Sequence, residues 1–248
     1  MPFDVHSDAA FNGQLAAAFQ LAPDVQLYGG ISRKTRFPTL KDRYSYRLGT
    51  AIPNPGLKQE ESNNVEIGIK GVAGALHYEA ALFDSKLKDA IQAVTIAPGA
   101  CTSPPCAQNR NIGDARNRGI ELSGSYTFDE RLTVRANYTY LDRKNISQPL
   151  VRLTGTPREK LFVALDYALA QRWNATLSSD TESKRYTSSD GTRVAGGFTR
   201  VDAIVRGAIG NVFDLSFGIR NAFDRLYAYQ EGFPEPGRTF FVEVGKAF

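Results

Sequence analysis

Along most of this chain apolar and polar side chains alternate with a period of two, and the alternating segments are joined by connections that switch regularly between short and long. Period two is the spacing of a β-strand, whose successive side chains point to opposite faces. In the clearest instance Phe213, Leu215, Phe217 and Ile219 face one way and Asp214, Ser216, Gly218 and Arg220 the other. Leu132, Val134, Ala136, Tyr138 and Tyr140 alternate with Thr133, Arg135, Asn137 and Thr139. Ile120, Leu122, Gly124 and Tyr126 alternate with Glu121, Ser123, Ser125 and Thr127. The same pattern places strands at Phe11 to Gln20, Val25 to Arg33, Asn64 to Lys70, Ala75 to Ser85, Glu159 to Tyr167, Arg172 to Glu182, Phe198 to Ile209 and Arg238 to Phe248. That makes about eleven strands, with the helical spacing of three and four almost nowhere.

The connections separate the β architectures. Short turns are expected at Ala22 to Asp24, Val72 to Gly74, Phe128 to Arg131, Ala168 to Gln171 and Gly210 to Asn211. Long loops are expected at Lys34 to Ser62, Lys86 to Asn111, Arg143 to Arg158, Ser183 to Gly197 and Ala222 to Gly237. A β-sandwich has no reason to keep all its short turns at one end, whereas an outer-membrane barrel has short periplasmic turns and longer extracellular loops. Tyr126, Phe128, Tyr138, Tyr140, Tyr167, Trp173 and Phe213 fall near strand ends, where the aromatic girdles of such a barrel lie. The expected fold is therefore all-β, an antiparallel transmembrane β-barrel. No stretch approaches the ~18 apolar residues of a spanning helix. The 23% charged residues and mean hydropathy of −0.32 suit strands with one polar face.

Other function classes find little support. Thirty basic against 26 acidic residues leave a net charge of only +4, too weak and too dispersed to propose nucleic acid. There is no HExxH, no nucleophile elbow and no phosphate-binding glycine loop, and neither His6 nor His77 has a carboxylate partner in sequence. An enzyme is not expected, nor a cofactor or a bound metal. Met1 to His6 lack the basic and apolar regions of a secretory signal. At the other end Phe240, Val242, Val244 and Phe248 resemble the terminal signal recognised by the barrel assembly machinery, with Lys246 a departure that must snorkel to the periplasmic rim.

Several motifs are similar, in order and spacing, to those of the TonB-dependent outer-membrane receptors. They are Ser32-Arg33-Lys34-Thr35-Arg36-Phe37-Pro38-Thr39-Leu40, Asn54-Pro55-Gly56-Leu57-Lys58-Gln59-Glu60 and Asn64-Val65-Glu66-Ile67-Gly68-Ile69-Lys70. Asn117-Arg118-Gly119-Ile120-Glu121-Leu122, Asn221-Ala222-Phe223-Asp224-Arg225-Leu226-Tyr227 and Pro236-Gly237-Arg238-Thr239-Phe240-Phe241 complete the set. The resemblance covers nearly the whole chain and implies active import, across the Gram-negative outer membrane, of a metal chelate or cofactor such as a siderophore, haem or cobalamin. Plugged receptors of this kind have about 22 strands, so residues 1–248 are expected to be the carboxy-terminal half of a barrel. The amino-terminal half, the plug and the plug's contact with the TonB complex would lie elsewhere, in keeping with a fragment, a split reading frame or a trimmed chain. A passive pore, an inactive barrel fragment and a soluble ligand-binding sandwich are the alternatives.

Within this scheme Glu66, Lys70, Arg118, Glu121, Arg135, Asp202, Arg206 and Arg220 are expected on the lumen face, against water or a plug. Cys101 and Cys106 fall in a loop expected outside the cell, where the oxidising surroundings favour a disulfide; a metal site finds no further ligands nearby. Contacts to small-molecule cargo are expected from Arg33, Arg36, Tyr44, Tyr46 and Arg47, and from Arg110, Arg116, Tyr186, Tyr227 and Tyr229. Guanidinium groups and aromatic faces suit anionic or catecholate ligands. The same residues suit the phosphates of lipopolysaccharide or plain solvation, and outer-membrane lipid is an expected partner either way.

Overall fold

The computed structural model describes residues 9–210 and 212–246. Phe248, His6 and Asn211 lie outside the described residues. Eleven strands form one antiparallel sheet in which each pairs with its neighbours in chain order. They are β1 (Gly13–Ala22), β2 (Val25–Arg36), β3 (Glu60–Ala73), β4 (Leu76–Lys88), β5 (Ala115–Thr127) and β6 (Leu132–Asn145), then β7 (Glu159–Ala170), β8 (Trp173–Glu182), β9 (Phe198–Ile209), β10 (Phe213–Arg220) and β11 (Thr239–Lys246). No helix among the described residues is long and apolar enough to cross a membrane.

Register turns the alternation of each strand into two continuous faces. One row runs Leu27, Ile69, Ala80, Leu122, Tyr138 and Leu161 across β2 to β7. Another runs Leu132, Tyr167, Ala175, Val205, Phe217 and Val242 across β6 to β11. These rows belong to an outer face on which Leu15 is 70% and Phe240 73% exposed. Moving one such side chain from water into an apolar medium gains roughly 1.5–3 kcal/mol. A face this broad therefore needs an apolar cover, and a bilayer supplies one.

The rows one residue over are polar. Gln26, Lys70, Glu79, Ser123 and Asn137 lie side by side across β2 to β6. They form an inner face, on which three cavities open. Gly68 lets two strands share this face at close range: a Cβ there would stand 2.3 Å from Cζ of Tyr28.

All tight turns lie at one end of the sheet. In one of them Asp129 accepts the backbone N–H groups of Arg131 and Leu132, each at 2.8 Å. The long connections at the opposite end are more ordered than loops read from the sequence as irregular. Leu40–Tyr44 is a helix, α1, started by a capping box in which Thr39 and Asp42 exchange bonds. Ala51–Ile52, Ala107–Asn111 and Ile91–Thr95 make a three-stranded sheet, and Arg185–Tyr186 with Val194–Ala195 and Ala228–Gln230 with Phe233–Pro234 make two small ribbons. One reason is solvation: some of the apolar residues in these segments bury among themselves. Ala90, Ile112 and Ala115 pack with Leu87, Val94, Val151 and Leu153, and Ile112 at 1% and Cys106 at 2% exposure are the most deeply buried large side chains. Hydrogen bonds tie separate connections together: Asn54 Nδ2 to the Asn109 carbonyl at 2.9 Å, Gln92 Nε2 to that of Arg152 at 2.7 Å, and the Thr95 N–H to Ser189 Oγ at 2.8 Å. The buried core of the molecule is thus the cap, not the space between strands.

Candidate functional site: the inner wall and its cap

Glu66, Lys70, Glu121, Arg135, Asp202, Arg206 and Arg220 all share the parity of the inner face. Tyr28 reaches over Gly68 and donates to Glu79 Oε1 at 2.6 Å, with Lys70 Nζ 5.8 Å from its ring centre. Glu66, Glu79 and Glu121 line a cavity of about 360 Å³ with Asn137 and Thr139. Two larger recesses, of about 800 and 790 Å³, open along β1 to β6. Farther round, Arg135 Nε meets Asp166 Oδ2 at 2.6 Å, and Arg220 lies 4.7 Å from the ring centre of Phe241. No group of three metal-ligating side chains occurs among the described residues.

Arg118 departs from the expectation of a lumen residue. It has the parity of Ile120 and Leu122, so it lies on the outer face, where its Nε pairs with Asp142 Oδ2 at 3.2 Å. Arg33 and Arg116 are likewise displaced from the loops in which cargo contacts were sought. Both are strand residues on the outer face, Arg33 in β2 paired with Glu61 at 2.9 Å and Arg116 in β5 paired with Asp84. All three sit toward the long-loop end of their strands, beyond the apolar rows, where a charge no longer meets hydrocarbon.

The cap holds the other cargo candidates in two groups. In the first, Arg36 Nη1 lies 3.2 Å from Asp42 Oδ2 and its Nε 3.6 Å from Glu60. Burial pushes the Asp42 carboxyl up, but the Thr39 N–H and hydroxyl, with Arg36, together hold it below its ordinary value. Tyr44 ends α1, and Tyr46 and Arg47 follow on an exposed tip where Arg47 has a φ of 43° and Leu48 of 55°. Gly49 anchors that tip against the loop of Cys101 and Cys106, its carbonyl accepting the Ser103 N–H at 3.0 Å. The two cysteines are joined by a disulfide with a Cα–Cα distance of 5.6 Å. Arg110 Nε donates to Gln108 Oε1 at 2.8 Å on the sheet beside them.

The second group is aromatic. Tyr227 and Tyr229 have ring centres 5.8 Å apart, and Phe198 packs on both at 4.4 and 5.6 Å. Arg185, ion-paired with Glu182, lies 5.1 Å from the Tyr229 ring centre, and Arg200 Nη1 donates to the Tyr227 hydroxyl at 3.3 Å. Burial, and then Tyr227, push the Tyr229 phenol up. Tyr186 stands apart, its ring facing Arg152 at 5.7 Å. The sequence reading missed Phe198, Arg185, Arg200 and Arg152. A signal existed for Phe198, which shares the parity of Arg200 and Asp202 and is thus an aromatic on a polar face.

Residues 3–222 match the family model described as TonB dependent receptor-like, beta-barrel. The chain belongs to this TonB-dependent receptor family. It is 25% identical over 238 residues to the vitamin B12 transporter BtuB of Photobacterium profundum, a match covering 95% of this chain and 37% of that protein. Among solved structures it is similar to the copper transporter OprC, with a TM-score of 0.80 and 22% identity over 94% of this chain and 39% of that one. A ferric enterobactin receptor (PfeA) structure from Pseudomonas aeruginosa gives a TM-score of 0.74 at 22% identity, again over 94% of this chain and 39% of the other. The chain thus spans well under half the length of these receptors and transporters, whose family is one of transport proteins and not of enzymes.

Proposed function

We propose that this chain forms part of the barrel wall of a TonB-dependent receptor in the outer membrane of a Gram-negative bacterium, importing a metal chelate or a cofactor of the siderophore, haem or cobalamin kind. The observation that carries this reading is the pair of opposite faces: a continuous apolar exterior suited to lipid, and a charged inner wall with recesses beneath an ordered cap. Cargo enters past the cap, where Arg36, Tyr44, Tyr46, Arg47 and Arg110 on one side and Tyr186, Tyr227 and Tyr229 on the other offer charge and stacking. The proteins it resembles are named for vitamin B12, copper and ferric enterobactin, which supports small-molecule cargo without choosing one. The remaining wall, a plug, the TonB complex that acts through it, the barrel assembly machinery and lipopolysaccharide are its proposed partners.

The test is uptake by cells that carry the complete receptor gene or lack it, with radiolabelled ferric siderophores, haem, cobalamin and copper supplied singly. The expected result is one cargo whose uptake needs both this gene and an energised TonB complex. Uptake unaffected by loss of either contradicts active transport, and open-channel conductance in a planar bilayer would assign a passive pore instead.

A further inference from the structure

A polar row crosses the inner wall just below the cap: Ser32, Asn64, Ser85, Asn117 and Arg143 stand directly beside one another on β2, β3, β4, β5 and β6. Its neutral members bond along the row. Asn64 Nδ2 donates to Ser32 Oγ at 3.2 Å, and the Ser85 hydroxyl donates to Asn64 Oδ1 at 2.6 Å. At the end of the row Arg143 is half-buried, its Nε donating to Asn117 Oδ1 at 3.2 Å. Its Nη1 donates to the Thr154 carbonyl at 3.1 Å and to Thr156 Oγ1 at 3.0 Å. Every one of these acceptors is neutral. The carboxylate whose charge acts on Arg143, Glu60 at the start of β3, makes no ion pair with it and is engaged by Arg36 and by the Ile91 N–H at 2.7 Å.

Among the described residues, Arg143 thus has no ion pair, although Arg135, Lys160 and Arg200 of the same wall each have one. A half-buried guanidinium with no directly paired carboxylate carries charge that its contacts leave only partly balanced. Its fork is fixed by three neutral acceptors, while Nη2 takes no partner among the described residues and is not closed off from solvent. An aligned guanidinium whose Nη2 keeps its N–H groups unengaged can still donate charge-assisted hydrogen bonds to an oxyanion.

We propose that Arg143, held by Asn117, Thr154 and Thr156, is the anchor of an oxyanion subsite on the inner wall, binding a carboxylate or phosphate group of the cargo as it leaves the cap. This rests on the reading of the inner wall as the cargo's path. The members of the row beside Arg143 are neutral, so an incoming anion displaces no ion pair.

The experiment is calorimetric titration of the folded chain in detergent with citrate and, separately, inorganic phosphate at low ionic strength. The wild type is compared with Arg143→Gln, Arg143→Lys and Arg118→Gln, the last at almost the same height on the opposite face. Saturable binding of at least one probe is expected, weakened at least about tenfold by Arg143→Gln as a charge-assisted bond is lost, less so by Arg143→Lys, and unchanged by Arg118→Gln. Preference for one probe identifies the anion class. Absence of saturable binding in the wild type, wild-type affinity in Arg143→Gln, or equal weakening in Arg118→Gln overturns the proposal. Should Arg143→Gln fail to fold, the wild-type Arg143 Nε resonance decides: a probe-induced shift supports the site and an unmoved resonance refutes it. Failed binding leaves the uptake test of transport untouched, and failed uptake with intact binding counts only against transport.

Discussion

At the scale of single residues, the sheet tolerates its close approaches only where a side chain is missing. A Cβ on Gly119 would lie 2.0 Å from the Tyr140 carbonyl oxygen and 2.8 Å from the Phe83 ring. Gly119→Ala is therefore expected to destabilise the folded sheet by roughly 1–3 kcal/mol, measured as a shift in the urea midpoint of the detergent-folded chain. Asp190 is a different kind of local lock. It accepts the Ser188 hydroxyl at 2.6 Å and the Thr192 hydroxyl and N–H at 2.8 and 3.0 Å, and those donors hold its carboxyl below the ordinary 3.8. A depressed folded-state value stabilises the turn above the unfolded value and loses that stabilisation as pH falls through the folded one. The Thr192 amide resonance should therefore titrate with a midpoint below 3.8; a midpoint at or above it contradicts the contact. The sequence misled at this scale where charge was read ahead of parity. Arg118 was assigned inward for being charged, while its even number, shared with Ile120 and Leu122, already placed it outward.

At the scale of elements, the middle of each strand was legible and its upper end was not. Asn64 to Lys70 was expected and Glu60–Ala73 is observed; Val25 to Arg33 was expected and Val25–Arg36 is observed. Above the apolar rows both faces are polar, so alternation fades while the backbone ladder continues through pairs such as Thr35 with Glu61. The small sheets of the cap gave no signal, being only two to five residues long, and Ala51–Ile52 pairs with a strand of another connection. The aromatic group was half legible, since Tyr227 and Tyr229 stand together in sequence but Phe198, at the end of β9, and Arg185, in a ribbon beyond β8, reach them only in the fold. The two faces of β5 give the prediction for this scale. Leu122→Arg should cost roughly 2–4 kcal/mol in a bilayer if its place is near the midplane, and Ser123→Arg much less. Equal costs in lipid-refolding titrations would remove the distinction between the faces.

At the scale of the whole molecule, eleven strands with one apolar and one polar face make a wall between lipid and an aqueous interior, and the cap supplies the buried core that the wall lacks. The alternation of short and long connections made this architecture readable from the sequence, because tight turns confined to one end suit a membrane barrel and not a sandwich. The cap's internal contacts were not readable, since they join segments as distant as Thr95 and Ser189. The most direct test of the account is nitroxide accessibility in lipid bilayers, with labels placed singly at Leu122, Leu165 and Phe217 and at their neighbours Ser123, Asp166 and Ser216. The account predicts that the first three collide with oxygen dissolved in the lipid and the second three with a water-soluble nickel chelate. Equal access to the chelate at all six, or protection of the first three from both reagents, would contradict it.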